Sequence, residues 1–276
     1  MGLLGSLLYG LVSGLAEIFP VSAQANQLVL RNLMGIPNKE PIRDLLVHIA
    51  ILASVYIACR GMFAKIRREQ VLAYRMRRNP SQVHALKGVY DMRLVKSAAP
   101  IMMIGLLVGF FLPNIYQRRL LFSLVLLLNG AITLIPIYLH QGSRDARSLS
   151  GADGLLIGFA AALSAIPGIS RNGAIMAATI VREADKKNAV NWSFMLAVPA
   201  MAVLILTDFI AIFTVGVGKV VFMTFVGYLV SAGAAFVGTY LAVSLIKVMI
   251  QRSDYTVFAY YDFGLALFTF IMYLIT

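Results

Sequence analysis

The chain has 276 residues, 60% of them hydrophobic and 13% charged, with 24 Lys and Arg against 12 Asp and Glu for a formal net charge of +12. So apolar a composition excludes an ordinary soluble domain, and the basic residues cluster between apolar runs, which argues against nucleic acid as the target. The single Cys59 can form no internal disulfide and reads as a core residue.

The first apolar segment, 3–34, lacks the basic start of a signal peptide. It is also interrupted by Glu17, Pro20, Ser22, Gln24, Asn26 and Gln27, so it reads as mature structure. Uninterrupted runs of spanning length follow at 42–59, 97–113 and 120–139. The loop 60–96 between the first two holds ten Lys/Arg and only two acids, Glu69 and Asp91. A second interrupted segment, 155–181, contains Pro167-Gly168-Ile169-Ser170-Arg171-Asn172-Gly173. Three more runs close the chain at 192–215, 220–250 and 257–275.

If each full run crosses once and each interrupted segment returns to its own side, seventeen basic residues fall on the face of the 60–96 loop. Among them are Arg144, Arg147, Arg182, Lys186, Lys187, Lys247 and Arg252. Six fall opposite: Arg31, Lys39, Arg43, Arg118, Arg119 and Lys219. The bias predicts a plasma-membrane protein with the 60–96 loop cytoplasmic and both termini outside. The loop doubles as a contact for anionic lipid, and its few aromatics, Tyr74 and Tyr90, weaken an RNA-binding reading.

The expected fold is thus all-α and integral to the membrane, one domain over 1–276, with six transmembrane helices and two re-entrant hairpins. The two halves, about 1–140 and 150–276, have opposite orientation. Pro20 and Pro167 stand 147 residues apart, and the stretches starting at Asp44 and Trp192 stand 148 apart. That recurrence predicts an inverted-topology repeat whose hairpin tips meet near the midplane. Ala234 and Gly238, small residues four apart, suit close helix contact and a homodimer.

Ionisable groups at bilayer depth are costly and usually face a pocket or pathway. Gly168 and Gly173 permit close backbone approach to an anion, a helix starting near Arg171 aims its positive end there, and the guanidinium fork suits phosphate oxygens. Ser170 and Asn172 complete that segment as binding residues. Glu17 serves as cation ligand, proton carrier or counter-ion to Arg171. Ser22 is a nucleophile candidate or a helix cap, and Asn26 and Gln27 donate to phosphate or cap the tip. His48, one turn beyond Asp44, reads mainly as an interhelical hydrogen-bonding group, with a catalytic pair as the alternative. Asp208 is expected to pair with backbone or Lys219, and Asp262 to sit in an interfacial aromatic belt with Tyr260 and Tyr261. His84 and His140 are loop residues, and no His/Cys cluster has metal-ligand spacing.

The stretch Gly10-Leu11-Val12-Ser13-Gly14-Leu15-Ala16-Glu17-Ile18-Phe19-Pro20-Val21-Ser22 resembles the first signature of the undecaprenyl-pyrophosphate phosphatase family, the BacA type. Ile166-Pro167-Gly168-Ile169-Ser170-Arg171-Asn172-Gly173-Ala174 resembles the second, and the likeness runs through essentially the whole chain. The resemblance implies a membrane hydrolase that removes the terminal phosphate of a polyprenyl pyrophosphate, recycling the lipid carrier of envelope glycan synthesis. It also implies a site opening outward and a divalent cation, Mg²⁺ or Ca²⁺, with Glu17 as its ligand. Against the family pattern, Ser13 stands for a first glutamate, Ala23 for a second serine, Asn26 for a histidine, Asn172 for a serine and Ile175 for a threonine. Arg171, Ser170, Gly168 and Gly173 are kept. Catalytic roles then fall to Glu17, Ser22 and Arg171. The alternative is a catalytically depleted relative that binds or flips polyprenyl phosphate.

Overall fold

The computed structural model describes residues 2–37, 39–78, 90–111, 118–139, 142–144, 148–217, 220–252 and 255–275. His84, His140, Arg147 and Lys219 lie outside the described residues. The chain is all-α. Its helices are α1 Leu3–Ile18, α2 Ala23–Leu33, α3 Pro41–Ala58, α4 Arg60–Arg78, α5 Tyr90–Phe111 and α6 Arg119–Tyr138. They continue with α7 Gly151–Ala162, α8 Arg171–Val181, α9 Lys186–Thr214, α10 Phe222–Arg252 and α11 Thr256–Ile275.

Six of these, α3, α5, α6, α9, α10 and α11, are long and apolar enough to cross a bilayer. Their outward faces carry exposed Ile104, Phe111, Leu128, Phe213 and Leu267, as lipid contact requires. The chain is a six-span membrane protein. By contrast α1 has 16 residues and α2 only 11. At 1.5 Å per residue α1 reaches about 24 Å, short of a hydrocarbon core of about 30 Å.

The basic segment 60–96 differs from its reading as a loop. Its first half is α4, because apolar Met62, Phe63 and Ile66 pack on the core while Arg67 and Arg68 point out. For the same reason α5 begins at Tyr90 rather than 97 and α9 at Lys186 rather than 192: charged first turns extend the helices beyond their apolar runs.

Lipid tails are as apolar as leucine, so helices associate here through close packing and hydrogen bonds rather than hydrophobic transfer. Two glycine pairs show this. A Cβ on Gly10 or Gly14 would lie 2.0 or 2.2 Å from the Ser231 or Ala235 carbonyl oxygen of α10. On Gly154 or Gly158 it would lie 1.8 Å from Ser97 Oγ or 2.4 Å from the Ala98 carbonyl of α5. Thus α1 seats on α10 and α7 on α5 in the same manner. Ser231 Oγ donates to the Ser6 carbonyl at 3.0 Å and Thr239 Oγ1 to that of Gly14 at 3.2 Å. Gly238 packs on the Leu11 carbonyl, so this small residue serves a contact inside the protomer. Further neighbours are α3 with α9 and α10, α5 with α9, α6 with α8 and α11, α8 with α7 and α9, and α1 with α2.

At the basic end, Ser150 caps α7 in a reciprocal capping box with Asp153. Burial opposes ionisation of Asp153, but the Ser150 N–H and the Arg182 guanidinium outweigh it and lower its pKa to about 2.

Candidate functional site

Pro20 breaks the first apolar segment and Pro167 the second. The residue before a proline avoids the helical region, and Phe19 is extended with ψ 154°. The chain restarts at Ser22, whose Oγ accepts from Ala25 N–H at 3.2 Å and opens α2. The second break follows α7 through a 3-10 turn at Leu163–Ala165, then Gly168 with φ +116°. Only glycine suits that backbone, and a Cβ there would also meet Val125 Cγ1 at 2.6 Å. Ser170 Oγ then accepts from Gly173 N–H at 3.1 Å and opens α8 at Arg171.

The two breaks touch. Gly168 N–H donates to Ser22 Oγ at 3.2 Å. Asn172 Nδ2 donates to the carbonyls of Glu17 and Ile18, both at 2.8 Å, tying down the C-terminal end of α1. Arg171 Nη1 meets Glu17 Oε1 at 2.7 Å, with both side chains 7% exposed. Each charge sits at the wrong end of its helix: a carboxylate among the terminal carbonyls of α1, a guanidinium on the first residue of α8. The pair compensates both. Still, Arg171 Nε is buried with no hydrogen-bond partner, a donor left over at the positive end of a helix. Gln24 Oε1 is buried and unpartnered nearby.

Behind the tips the polar groups are structural. Ser170 N–H donates to Asn129 Oδ1 at 2.7 Å, and Asn129 Nδ2 donates to Asp262 Oδ2 at 2.7 Å. Asp262 is fully buried, not in an interfacial belt: although Tyr260 and Tyr261 next to it are exposed, its own face of α11 meets α6. Asn26 donates to the Ser22 carbonyl at 2.8 Å and accepts from Tyr261 O–H.

In front of the tips lies a cavity of about 250 Å³. Glu17, Gln24, Gln27 and Pro167 line its inner end, with Leu106, Phe110 and Leu204 on its apolar wall. A recess of about 40 Å³ shares Glu17, Gln24, Leu106 and Leu204 with it and is closed by Ser170, Arg171 and Asn172. Asn26 lines neither space and Ser22 lines neither. Gln27 does, as do Gln24, Leu28 and Arg31. Those four positions have helical i, i+3, i+4, i+7 spacing, a stripe readable from sequence once α2 is taken as a helix.

Four further charged groups line this cavity, Arg31, Lys39, Asp44 and Asp208, and no local sequence signal assigns them to it. Arg31 is 2% exposed and binds Asp44 and the Tyr9 hydroxyl. Lys39 stands 4.6 Å from the Phe110 ring centroid. Asp208 pairs with His48, whose Nδ1 lies 2.5 Å from Asp208 Oδ2 between α3 and α9, while the expected partner Lys219 lies outside the described residues. His48 is therefore an interhelical partner, yet it also lines the cavity with Glu17.

The donor set does not fit a resident divalent cation. Glu17 is engaged by Arg171, Asp44 by Arg31 and Asp208 by His48, and no three His, Cys, Asp or Glu converge among the described residues.

Residues 6–268 match the family described as "Bacitracin resistance protein BacA". The chain belongs to the BacA family. It is 26% identical over 271 residues to "Undecaprenyl-diphosphatase 3" of Bacillus cereus, covering 97% of this chain and 96% of that one. It is 24% identical over 259 residues to "Undecaprenyl-diphosphatase" of Alkaliphilus metalliredigens, covering 93% of each. The protein of the same name in Desulforapulum autotrophicum is 26% identical over 279 residues, covering 98% of both chains. This BacA-family chain thus runs nearly the full length of its relatives.

Proposed function

We propose that this protein is a polyprenyl-pyrophosphate phosphatase of the undecaprenyl type, acting where its two helix breaks meet. The observation that carries the reading is Arg171: a nearly buried guanidinium on the first residue of α8, with Nε unpartnered, beside a cavity whose outer wall is apolar. A pyrophosphate would take the place of the Glu17 carboxylate on Arg171, satisfying Nε and the helix end together. Leu28, Leu106, Phe110 and Leu204 suit the first isoprene units of a lipid tail. Ser170 and Asn172 line the recess beside Arg171, Gly168 and Gly173 line neither space and serve the turn that brings α8 to it, Gln27 faces the cavity, and Asn26 and Ser22 hold the first tip in form. Stabilisation of charge by Arg171 then supplies most of the catalysis.

In this reading α1–α2 and α7–α8 are re-entrant hairpins of an inverted repeat. Support comes from their matched seats on α10 and α5 and from their matched outer ends. Tyr9 meets Arg31 at the base of the first pair, and Asp153 meets Arg182 at the base of the second. Lys247, Arg144 and Arg182 gather at the end of the bundle shared with α4, which the reading takes as cytoplasmic. The cavity lies toward the opposite, outward end, beside Lys39 and Pro41.

A second reading, binding or flipping of polyprenyl phosphate without hydrolysis, draws on Ser22. Its oxygen already accepts two backbone N–H groups, leaving no hydroxyl poised for attack. The test is phosphate release from undecaprenyl pyrophosphate by detergent-purified protein. Release that disappears in Arg171→Ala and Glu17→Ala supports the phosphatase. Absence of release with Arg171-dependent binding of the monophosphate supports carriage instead. Running both with Mg²⁺, Ca²⁺ or EDTA tests the cation implied by the family.

A further inference from the structure

Hydrolysis of a phosphoanhydride by water needs a group that takes the proton of the attacking water. Most polar groups around the cavity are committed elsewhere. Asp44 holds Arg31 and the Tyr9 hydroxyl, while Glu17 holds Arg171 until the pyrophosphate displaces it and then faces that anion as a like charge. Ser22 and Asn26 line neither space and are tied to Gly168 and Tyr261, and Gln24 and Gln27 do not titrate. Lys39 and Arg31 are cations with no lone pair to offer.

His48 differs. It lines the cavity from α3, and its Nδ1 is fixed by the Asp208 carboxylate of α9 at 2.5 Å. A carboxylate accepts only, so Nδ1 carries the hydrogen and the lone pair sits on Nε2. No bond is made at Nε2 among the described residues, and it is not a buried orphan. It is open to the cavity that Glu17 closes at its inner end. Two helices that pack along much of their length, α3 and α9, hold the pair in place. The charged groups facing it are Asp44 on its own helix, Asp208 on α9, Glu17 on α1, Arg31 on α2 and Lys39 before α3.

We infer that His48, oriented by Asp208, is the general base of this site, taking a proton from the water that attacks the terminal phosphorus. This rests on the phosphatase reading. The new bond joins the water oxygen to that phosphorus, and the bond to the bridging oxygen breaks. Its electron pair leaves with the prenyl monophosphate, and the water proton passes to Nε2 and returns to solvent with inorganic phosphate. His48 touches the reacting water; Asp208 is a positioning residue that fixes the tautomer and ring plane.

The experiment is a kcat and KM series against pH, with undecaprenyl pyrophosphate in detergent, for the wild type, H48Q, H48A and D208N. The expected result is a fall in kcat of about 100-fold or more in H48Q with KM little changed. The acidic limb of the kcat profile should flatten in H48Q and move in D208N. Imidazole added to H48A should restore rate in proportion to its unprotonated fraction, which a misfolded variant would not allow. An H48Q enzyme with wild-type kcat and an unaltered acidic limb would overturn the assignment while leaving the phosphatase intact. A wild type that releases no phosphate at any pH would overturn the phosphatase reading itself, and His48 with it.

Discussion

The two helix breaks share a plan and differ in chemistry. Each falls at a proline, each restarts an 11-residue helix, and each restart is capped by a serine, Ser22 or Ser170. The first contributes its charge from the helix that ends, as Glu17 in the last turn of α1. The second contributes its charge from the helix that begins, as Arg171 at the head of α8. In the proposed reading, helix ends decide which break draws the ligand. Terminal carbonyls add negative potential beside Glu17 and terminal N–H groups add positive potential beside Arg171, so an anion is drawn to the second break. The serines, alike in both, are consumed in capping. Charge rather than hydroxyl chemistry separates the two.

The largest effect should come from erasing that difference at its positive pole. Arg171→Ala is expected to lower phosphate release by on the order of 10³ or more. It also leaves Glu17 buried without its counter-ion, at a cost of about 3–5 kcal/mol in stability. Arg171→Lys keeps the charge without the fork and should fall between. Steady-state kinetics and thermal unfolding of the same preparations separate the two effects.

Gly168→Ala probes the backbone that brings the breaks together. Its φ of +116° and the nearby Val125 methyl predict a loss of about 1–3 kcal/mol. Gly173→Ala, whose Cβ would stand 3.3 Å from the Pro20 carbonyl, should cost less. Equal losses would mean that the tip is more pliant than the packing implies.

Ser22→Ala and Ser170→Ala test whether the caps are only caps. Each should cost about 1 kcal/mol and leave phosphate release within a few-fold of wild type. Loss of activity in a folded Ser22→Ala protein would make Ser22 the nucleophile and end the equivalence of the two serines.

Much of this was legible in the sequence, and for a definable reason. Spanning length and hydropathy are properties of contiguous residues, so the six spans and both breaks could be read directly. The meeting of Glu17 with Arg171 follows from the cost of leaving two charges within apolar sequence without a counter-ion. What escaped depends on contacts between distant segments. His48 and Asp208 are 160 residues apart, and nothing local marks them as partners. Asn26 drew attention as an amide beside Gln27, yet one residue of helix is about 100° of rotation, enough to turn it toward Tyr261. The helix α4 was hidden because its charges were read for topology and not for the apolar spacing of Met62, Phe63 and Ile66.

The smallest expected effect lies far from the breaks, at the base of the second pair. Asp153 has its pKa lowered from 3.8 to about 2, so the stability it contributes is full above about pH 4 and lost as pH falls through 2. Thermal unfolding in detergent should show that decline in the wild type and not in Asp153→Asn.

The most direct measurement is binding of undecaprenyl monophosphate to wild type, Arg171→Ala and Glu17→Gln, in EDTA. Arg171→Ala is expected to weaken binding by about 100-fold, the scale of a lost charge-assisted pair of hydrogen bonds. Glu17→Gln should bind at least as tightly as wild type, because the ligand no longer displaces a carboxylate from Arg171. Affinity unchanged by Arg171→Ala, or lost in Glu17→Gln, would contradict a site built on that guanidinium.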